Sequence, residues 1–361
     1  MFYFLSQLKD VFFGFNIFKY ITFRSAMAAV TTFLICVIFG PVFTKILKER
    51  KIREHAKRAD CPDLDKFAES KQGTPTMGGI FIIGSILVSV LLWADMSNRY
   101  VLLTFLTCAY LFILGLIDDW VKLTGAKHSG LRPKTKLAAQ IMLACFLGSY
   151  IYFDPNTSTQ LDIPFFKQVV FDIGVFYFLL VAVMIVGTTN AVNLTDGLDG
   201  LAIGCVMIVS ATLGALSYLS GHAQFSEYLF IPFIPMSAEL TVFCAAIVGA
   251  SLGFLWFNCH PASIFMGDTG SLPLGGSIAV ITVLIKKELL LVILGGIFVI
   301  EAFSVILQVC SFKLYKRRIF KMSPIHHHLQ LTGWHESKII TRFWIINIVL
   351  ALITLMTLKI R

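Results

Sequence analysis

Nothing constrains this chain more than its succession of long apolar segments. A helix that crosses the hydrocarbon core needs about 20 mostly apolar residues, and about ten such segments can be read, at 22–45, 76–94, 100–117, 137–153, 173–190, 200–219, 236–256, 272–287, 289–312 and 340–358. Of the 361 residues 57% are hydrophobic and 14% charged, where a soluble globular chain carries about 25% charged residues. The pattern predicts an all-α integral membrane protein, one polytopic domain over 1–361 with about ten transmembrane helices. It excludes a soluble enzyme held by one anchor. The polar break "IKKELL" inside 272–312 is read as a tight turn, and the opening "MFYFLSQLKDVFFGFNIFKYITFR" as an aromatic-rich interfacial segment, not a cleaved signal.

An even number of spans puts both termini on one side, and the basic residues choose the side. They crowd into the first loop (Lys45, Lys48, Arg50, Lys51, Arg53, Lys57, Arg58, Lys66, Lys71), the third (Lys122, Lys127, Arg132, Lys134, Lys136) and the ninth (Lys313, Lys316, Arg317, Arg318, Lys321, Lys338). By the positive-inside rule the loops near 46–75, 118–136, 189–200, 257–271 and 313–339 are cytoplasmic and both termini lie outside. The unusual polar motifs fall in those same loops: "SKQGTPTMGG", "DDWVK", "TTNAVNLTDGLDG", "FNCHPASIFMGDTGS" and "SPIHHHLQLTGWHE". Hydrophobicity alone does not require that sidedness, which points to one composite active site on the cytoplasmic face. An ion-coupled transporter, the alternative from another class, would hold its acids near the bilayer midplane. The cysteines occur singly with no C-x-x-C pair, so they are expected to pack in the interior, without disulfides or zinc.

Asp118, Asp119, Asp196, Asp199 and Asp268 sit in these short loops with few local cations. Adjacent carboxylates repel, so one is driven to stay protonated unless a cation compensates. Oxygen ligands drawn from several loops suit magnesium, which completes its shell with water and substrate phosphates. A lone aspartate at an interface is ordinarily a helix cap, a reading that does not extend to five on one face. In "MGDTGS", Gly267 and the Thr269-Gly270 turn allow close backbone approach around Asp268. "GTPTMGG" reads either as a helix boundary capped by hydroxyls or as part of the site. Asn190, Asn193, Asp196 and Asp199 recur every three positions, and amides with acids beside a metal suit a nucleotide base and ribose. Three consecutive histidines, His326, His327 and His328, point in different directions on a helix and suit hydrogen bonds to phosphate or sugar better than one zinc ion. With Lys71, Lys122 and Lys134, the set suits a phosphoanhydride substrate, and the bilayer supplies a second, lipidic one.

On these motifs the chain resembles the phospho-N-acetylmuramoyl-pentapeptide transferase family of the polyprenyl-phosphate N-acetylhexosamine-1-phosphate transferase superfamily, over nearly its whole length and in family order. The triple histidine with "GWHE" points to the muramoyl-pentapeptide branch rather than to the alternative, a polyprenyl-phosphate N-acetylglucosamine-1-phosphate transferase. The resemblance implies a Mg2+-dependent, multi-pass enzyme of the bacterial plasma (inner) membrane acting in peptidoglycan synthesis. It would transfer phospho-N-acetylmuramoyl-pentapeptide from UDP to undecaprenyl phosphate, giving lipid I and UMP, with no nucleic-acid partner and with a homodimer as a family expectation. It implies that Asp118, Asp119 and Asp268 are catalytic, that Asp268 binds the metal, and that Asn193, Asp196, Gly197, Leu198, Asp199 and Phe265 form the uridine pocket. Lys71, Thr76, Asn190, Asn258, Gly267, Ser271, His326, His327 and His328 would make other substrate contacts, with Lys122 and Lys134 on phosphates. The chain departs from the family pattern in the loop "DCPDLDKFAESK", at Gln330 and at Pro273.

Overall fold

The computed structural model describes residues 1–8, 10, 12–50, 73–124, 130–154, 157, 159–163 and 170–359. In chain order its α-helices are α1 (Ile21–Glu49), α2 (Gly79–Trp93), α3 (Arg99–Thr124), α4 (Pro133–Phe153), α5 (Tyr177–Thr195), α6 (Leu201–Ser220), α7 (Ala223–Leu229), α8 (Leu240–Asn258), α9 (Asp268–Leu284), α10 (Glu288–Leu294), α11 (Gly296–Tyr315), α12 (Ile325–Leu331) and α13 (Glu336–Met356). Eight of these segments are long and apolar enough to cross a membrane: α1, α3, α4, α6, α11, α13, and α5 and α8 with the 3-10 turns that precede them. The shorter apolar helices α2 and α9 coincide with two further predicted spans.

The axis of the bundle is α9. All its 17 residues are buried, and it packs against α3 and α5 most extensively, with α2 and α6 completing the surround. Its sequence, DTGSLPLGGSIAVITVL, is apolar or small on every side, the pattern of a helix enclosed by others. Small residues let the neighbours approach closely, as interhelical packing in a membrane requires. A Cβ placed on Gly115 of α3 would lie 2.3 Å from the Asp268 carbonyl oxygen, and one on Gly79 of α2 would lie 2.1 Å from the Gly270 nitrogen. Pro273 sits in the second turn of α9, where it removes one helix hydrogen bond near an end already open to other partners.

A buried clasp joins α1, α2 and α8 at their other ends. Arg24 is 1% exposed; its guanidinium forms a two-pronged ion pair with Glu239, one prong at 2.9 Å, and donates to the Trp93 carbonyl at 3.2 Å. Glu239 also accepts the Asp95 amide at 2.7 Å.

Several expectations change. The segment 289–312 is not one helix: it breaks at Gly295, between α10 and α11, where the Gly295-Gly296 pair has little intrinsic helix preference. A short antiparallel hairpin, β1 (Gln160–Asp162) with β2 (Val170–Asp172), stands between α4 and α5, and no apolar period announced it. Helices run into the predicted loops, so that α3 continues to Thr124 and α5 to Thr195. Cysteines at 36, 108, 205 and 244 are buried as expected, but Cys145, Cys259 and Cys310 are exposed, and Cys61 lies outside the described residues. An exposed thiol on a helix facing lipid or loop has no interior to pack into, so the packing rule covered only the inward faces.

Candidate active site

The acid pair closes α3. Adjacent helical residues point about 100° apart, and here that divides the two carboxylates. Asp119 turns to the start of α9, where it accepts hydrogen bonds from the Thr269 amide (2.9 Å), the Thr269 hydroxyl (2.6 Å) and the Asp268 amide (3.3 Å). It satisfies amides that a helix start leaves without helical partners, and lies where the helix dipole favours negative charge. Asp118 accepts the Leu131 amide at 2.9 Å and faces the lysines. One carboxylate oxygen from each of Asp118, Asp119 and Asp268 lies within 4.8 Å of the others, and all three residues are buried.

Two ammonium groups hold these charges together. Lys122, one helical turn past the pair, reaches Asp118 at 2.7 Å, Asp119 at 3.2 Å and Asp268 at 3.0 Å. Lys136, in the first turn of α4, pairs closely with Asp268 and stands 3.9 Å from Asp118. Asp118 and Asp268 therefore share both lysines, and their carboxylates lie side by side. Three carboxylates facing two ammonium groups also form a hard-oxygen donor set of the kind that fits Mg2+.

The turn before α9 is built from two motifs. The Phe265 amide donates to the Pro75 carbonyl, the Gly78 amide to the Phe265 carbonyl and the Gly79 amide to the Met266 carbonyl, each at 2.8 Å. "GTPTMGG" therefore holds "FMGDTGS" strand-fashion and is part of the site. Gly267 has φ 74° and ψ 178°, a conformation essentially confined to glycine, and a Cβ there would meet the Asp119 carboxylate at 2.7 Å and Thr76 Oγ1 at 3.3 Å. Thr76 thus lies beside the acids. Ser271 is fully buried and its hydroxyl donates back to the Gly267 carbonyl at 3.1 Å.

The asparagine and aspartate series is gathered against the other motifs. Asn193 is half-buried on α5, Asp196 closes that helix, and Gly197 and Leu198 lead to Asp199, which is buried. Asp199 accepts from the Ala262 amide and pairs with His260 Nδ1, both at 3.1 Å, while its own amide donates to Glu336 at 3.0 Å. Asn258 is 3% exposed; it accepts the Gly200 amide at 2.9 Å and donates to the Ile264 carbonyl at 2.8 Å, so it ties this turn to the segment leading to Asp268. Asn190 stands apart, donating to Gln140 on α4 and to the Val186 carbonyl.

The three histidines take three partners, as their directions on α12 require. His326 Nδ1 meets Glu301 of α11 at 3.0 Å, His327 Nδ1 meets Gln330 at 2.9 Å, and His328 Nδ1 accepts the Lys321 amide at 3.1 Å. Gln330, a departure from the family pattern, is the residue that holds His327.

The two lysines at the start of α4 differ in placement. Lys134 is exposed and takes no part in the ion pairs, whereas Lys136 makes them. Two helical positions apart means about 200° of rotation, so only one of the two can face α3. Lys71 lies outside the described residues. Sequence reasoning also gave no role to Thr269, His260, Glu336, Gln140 or Glu301. For Glu301 a signal existed: a single carboxylate inside the apolar run "GGIFVIEAFSVIL" is costly and marks a functional position by default.

The fold is that of an all-α membrane protein, and the family model described as "Glycosyl transferase family 4" matches residues 101–286. A second, "Phospho-N-acetylmuramoyl-pentapeptide-transferase signature 1", matches residues 71–83. Proteins with that same name are 48% identical to this chain in Thermodesulfovibrio yellowstonii, over 99% of each chain, and 49% identical in Pelobacter propionicus and in Geobacter sp., over 96% of each. The chain belongs to the phospho-N-acetylmuramoyl-pentapeptide-transferase family.

Proposed function

We infer that this chain transfers phospho-N-acetylmuramoyl-pentapeptide from UDP-N-acetylmuramoyl-pentapeptide to undecaprenyl phosphate, yielding lipid I and UMP. The observation that carries the reading, beside family membership, is the meeting of Asp118, Asp119 and Asp268 with Lys122 and Lys136 at the turn shared by two signature motifs. The site faces the cytoplasm of a bacterial plasma membrane, the chain crosses about ten times with both termini outside, and the basic loops support that orientation. Asp268, with Asp118 beside it, would hold Mg2+, which when bound would supply charge neutralisation at the pyrophosphate.

The reaction exchanges one phosphoanhydride for another, so positioning and charge neutralisation do most of the work. Lys122 and Lys136, released from Asp268 when substrate arrives, neutralise phosphate oxygens. A phosphate monoester has a second pKa of about 6, so the lipid nucleophile arrives largely ionised and attacks in line. The Asp118 carboxylate, beside the lysines, is placed to take up the remaining proton where the lipid phosphate arrives as the monoanion. Asp119 keeps the first turn of α9 in place. The Asn193–Asp199 segment and the turn at Phe265 receive uridine and ribose.

UMP release from UDP-N-acetylmuramoyl-pentapeptide with undecaprenyl phosphate, with and without Mg2+, tests the assignment. The expected result is release only when lipid acceptor and Mg2+ are both present. Equal turnover of UDP-N-acetylglucosamine, or release unaffected by chelation, would contradict it.

A further inference from the structure

His326 and Glu301 form a pair that the transferase chemistry does not itself require. Both are 0% exposed, one on α12 and the other on α11, inside a segment that reads as membrane-spanning. The ring nitrogen facing Glu301 Oε2 at 3.0 Å is Nδ1. A carboxylate only accepts, so Nδ1 carries the proton. That commits the tautomer and leaves Nε2 pointing away from α11.

What Nε2 meets is the nucleotide segment. A Cβ on Gly197 would lie 2.3 Å from it, so the imidazole edge rests directly against the turn between Asp196 and Asp199, and no residue with a side chain fits at 197 while the ring stays in place. Nε2 and the second Glu301 oxygen, Oε1, are both buried without a protein partner among the described residues. Buried polar atoms left in that state are costly, and a pair whose only task was to join two helices would be replaced at lower cost by apolar packing.

We propose that Glu301 is a positioning residue for nucleotide binding: its carboxylate fixes the tautomer and orientation of His326, and the His326 ring in turn sets the Gly197 turn that receives the uridine nucleotide. This rests on the transferase reading above and names a determinant of its nucleotide pocket. Glu301 touches no substrate. The lipid phosphate side, built on α3, α4 and α9, does not share these contacts.

The test uses the full-length protein with Glu301→Gln, which keeps an oxygen for the Nδ1 proton but loses the charge. It should raise KM for the UDP-sugar about tenfold while kcat and the KM for lipid phosphate stay within about twofold, because a misplaced pocket weakens binding of one substrate. A variant that was merely less stable would lose apparent kcat at unchanged KM, and that result overturns the proposal. The nitrogen-15 signals of His326, identified by their loss in His326→Asn, should show a proton on Nδ1 in the resting protein and a changed pattern in Glu301→Ala. A wild-type signal with Nδ1 bare overturns the proposal without reference to turnover. Absence of UMP release by the wild type would instead sink the transferase reading and leave the histidine measurement to decide the contact.

Discussion

Two buried ionic clusters sit at opposite ends of α2, and they are built on different principles. At its C-terminal end Arg24 and Glu239 carry one charge of each sign, joined in a two-pronged pair and tied to backbone at Trp93 and Asp95. At its N-terminal end three carboxylates face two lysines, one of them with a side chain 38% exposed. The clasp is balanced; the acid cluster has one acid more than it has lysines, and a bound cation would answer that surplus. Charge balance therefore separates a cluster that holds helices from one that works on a ligand. The first should respond to mutation in stability and the second in activity.

The largest effect is expected at the unbalanced end. Asp268→Asn keeps the shape but removes the carboxylate that both lysines share, and UMP release should fall by about 10³-fold, with the thermal midpoint little changed. A variant that kept activity within tenfold would end the division drawn above. At the balanced end Glu239→Ala leaves a buried guanidinium without its counter-charge, which costs about 3–5 kcal/mol. Its midpoint should drop steeply in detergent, yet the specific activity of the protein that remains folded should match wild type. Third, Lys136→Met should lower kcat/KM by about 10²-fold without a matching loss of stability.

Asp119 lies between the two principles, because it belongs to the acid cluster by position and to the scaffold by its contacts. Asp119→Asn can still accept through one oxygen, but its NH2 group must face either the Asp268 amide or the Thr269 amide, leaving a buried donor unsatisfied at a cost of about 1–3 kcal/mol. Stability and activity should fall together, in contrast to Asp268→Asn. Loss of activity alone, at an unchanged midpoint, would make Asp119 a direct participant in the chemistry.

Much of this arrangement was legible before any coordinates. Apolar segments long enough to span a bilayer located the main helices, and the one-sided distribution of acids, amides and histidines led to a single composite site, whose motifs do join through the contacts of Pro75, Gly197, Asn258 and Asp199. What was not legible depends on direction rather than on composition. Asp118 and Asp119 are indistinguishable in a string, and only the azimuth of α3 sends one to the helix start and the other to the lysines. Arg24 and Glu239 lie 215 residues apart, with no local pattern to pair them. Glu301 was hidden in an apolar run that was read for length alone. The break at Gly295 depends on packing around two glycines, which local hydropathy does not register.

The smallest predicted effect is the one that most sharpens the comparison. Lys134 and Lys136 share a loop, a charge and a place in the positive-inside count, so charge and hydropathy treat them alike, and the choice of Lys134 as a phosphate contact had no directional basis. In the folded protein Lys134 is exposed at the start of α4 and Lys136 turns inward to Asp268. If proximity to the acids is what matters, Lys134→Met should leave stability and the activation barrier within about 0.5 kcal/mol of wild type. If the loop acts instead as a diffuse basic patch that gathers anionic substrates, both variants should weaken nucleotide binding comparably, and raising the salt concentration should erase the difference from wild type. Measuring KM for the UDP-sugar in the two methionine variants at low and high salt separates these cases. A Lys134 variant as impaired as Lys136→Met would show that the acid cluster is served by the field of the loop rather than by the close pairing of Lys136 with Asp268.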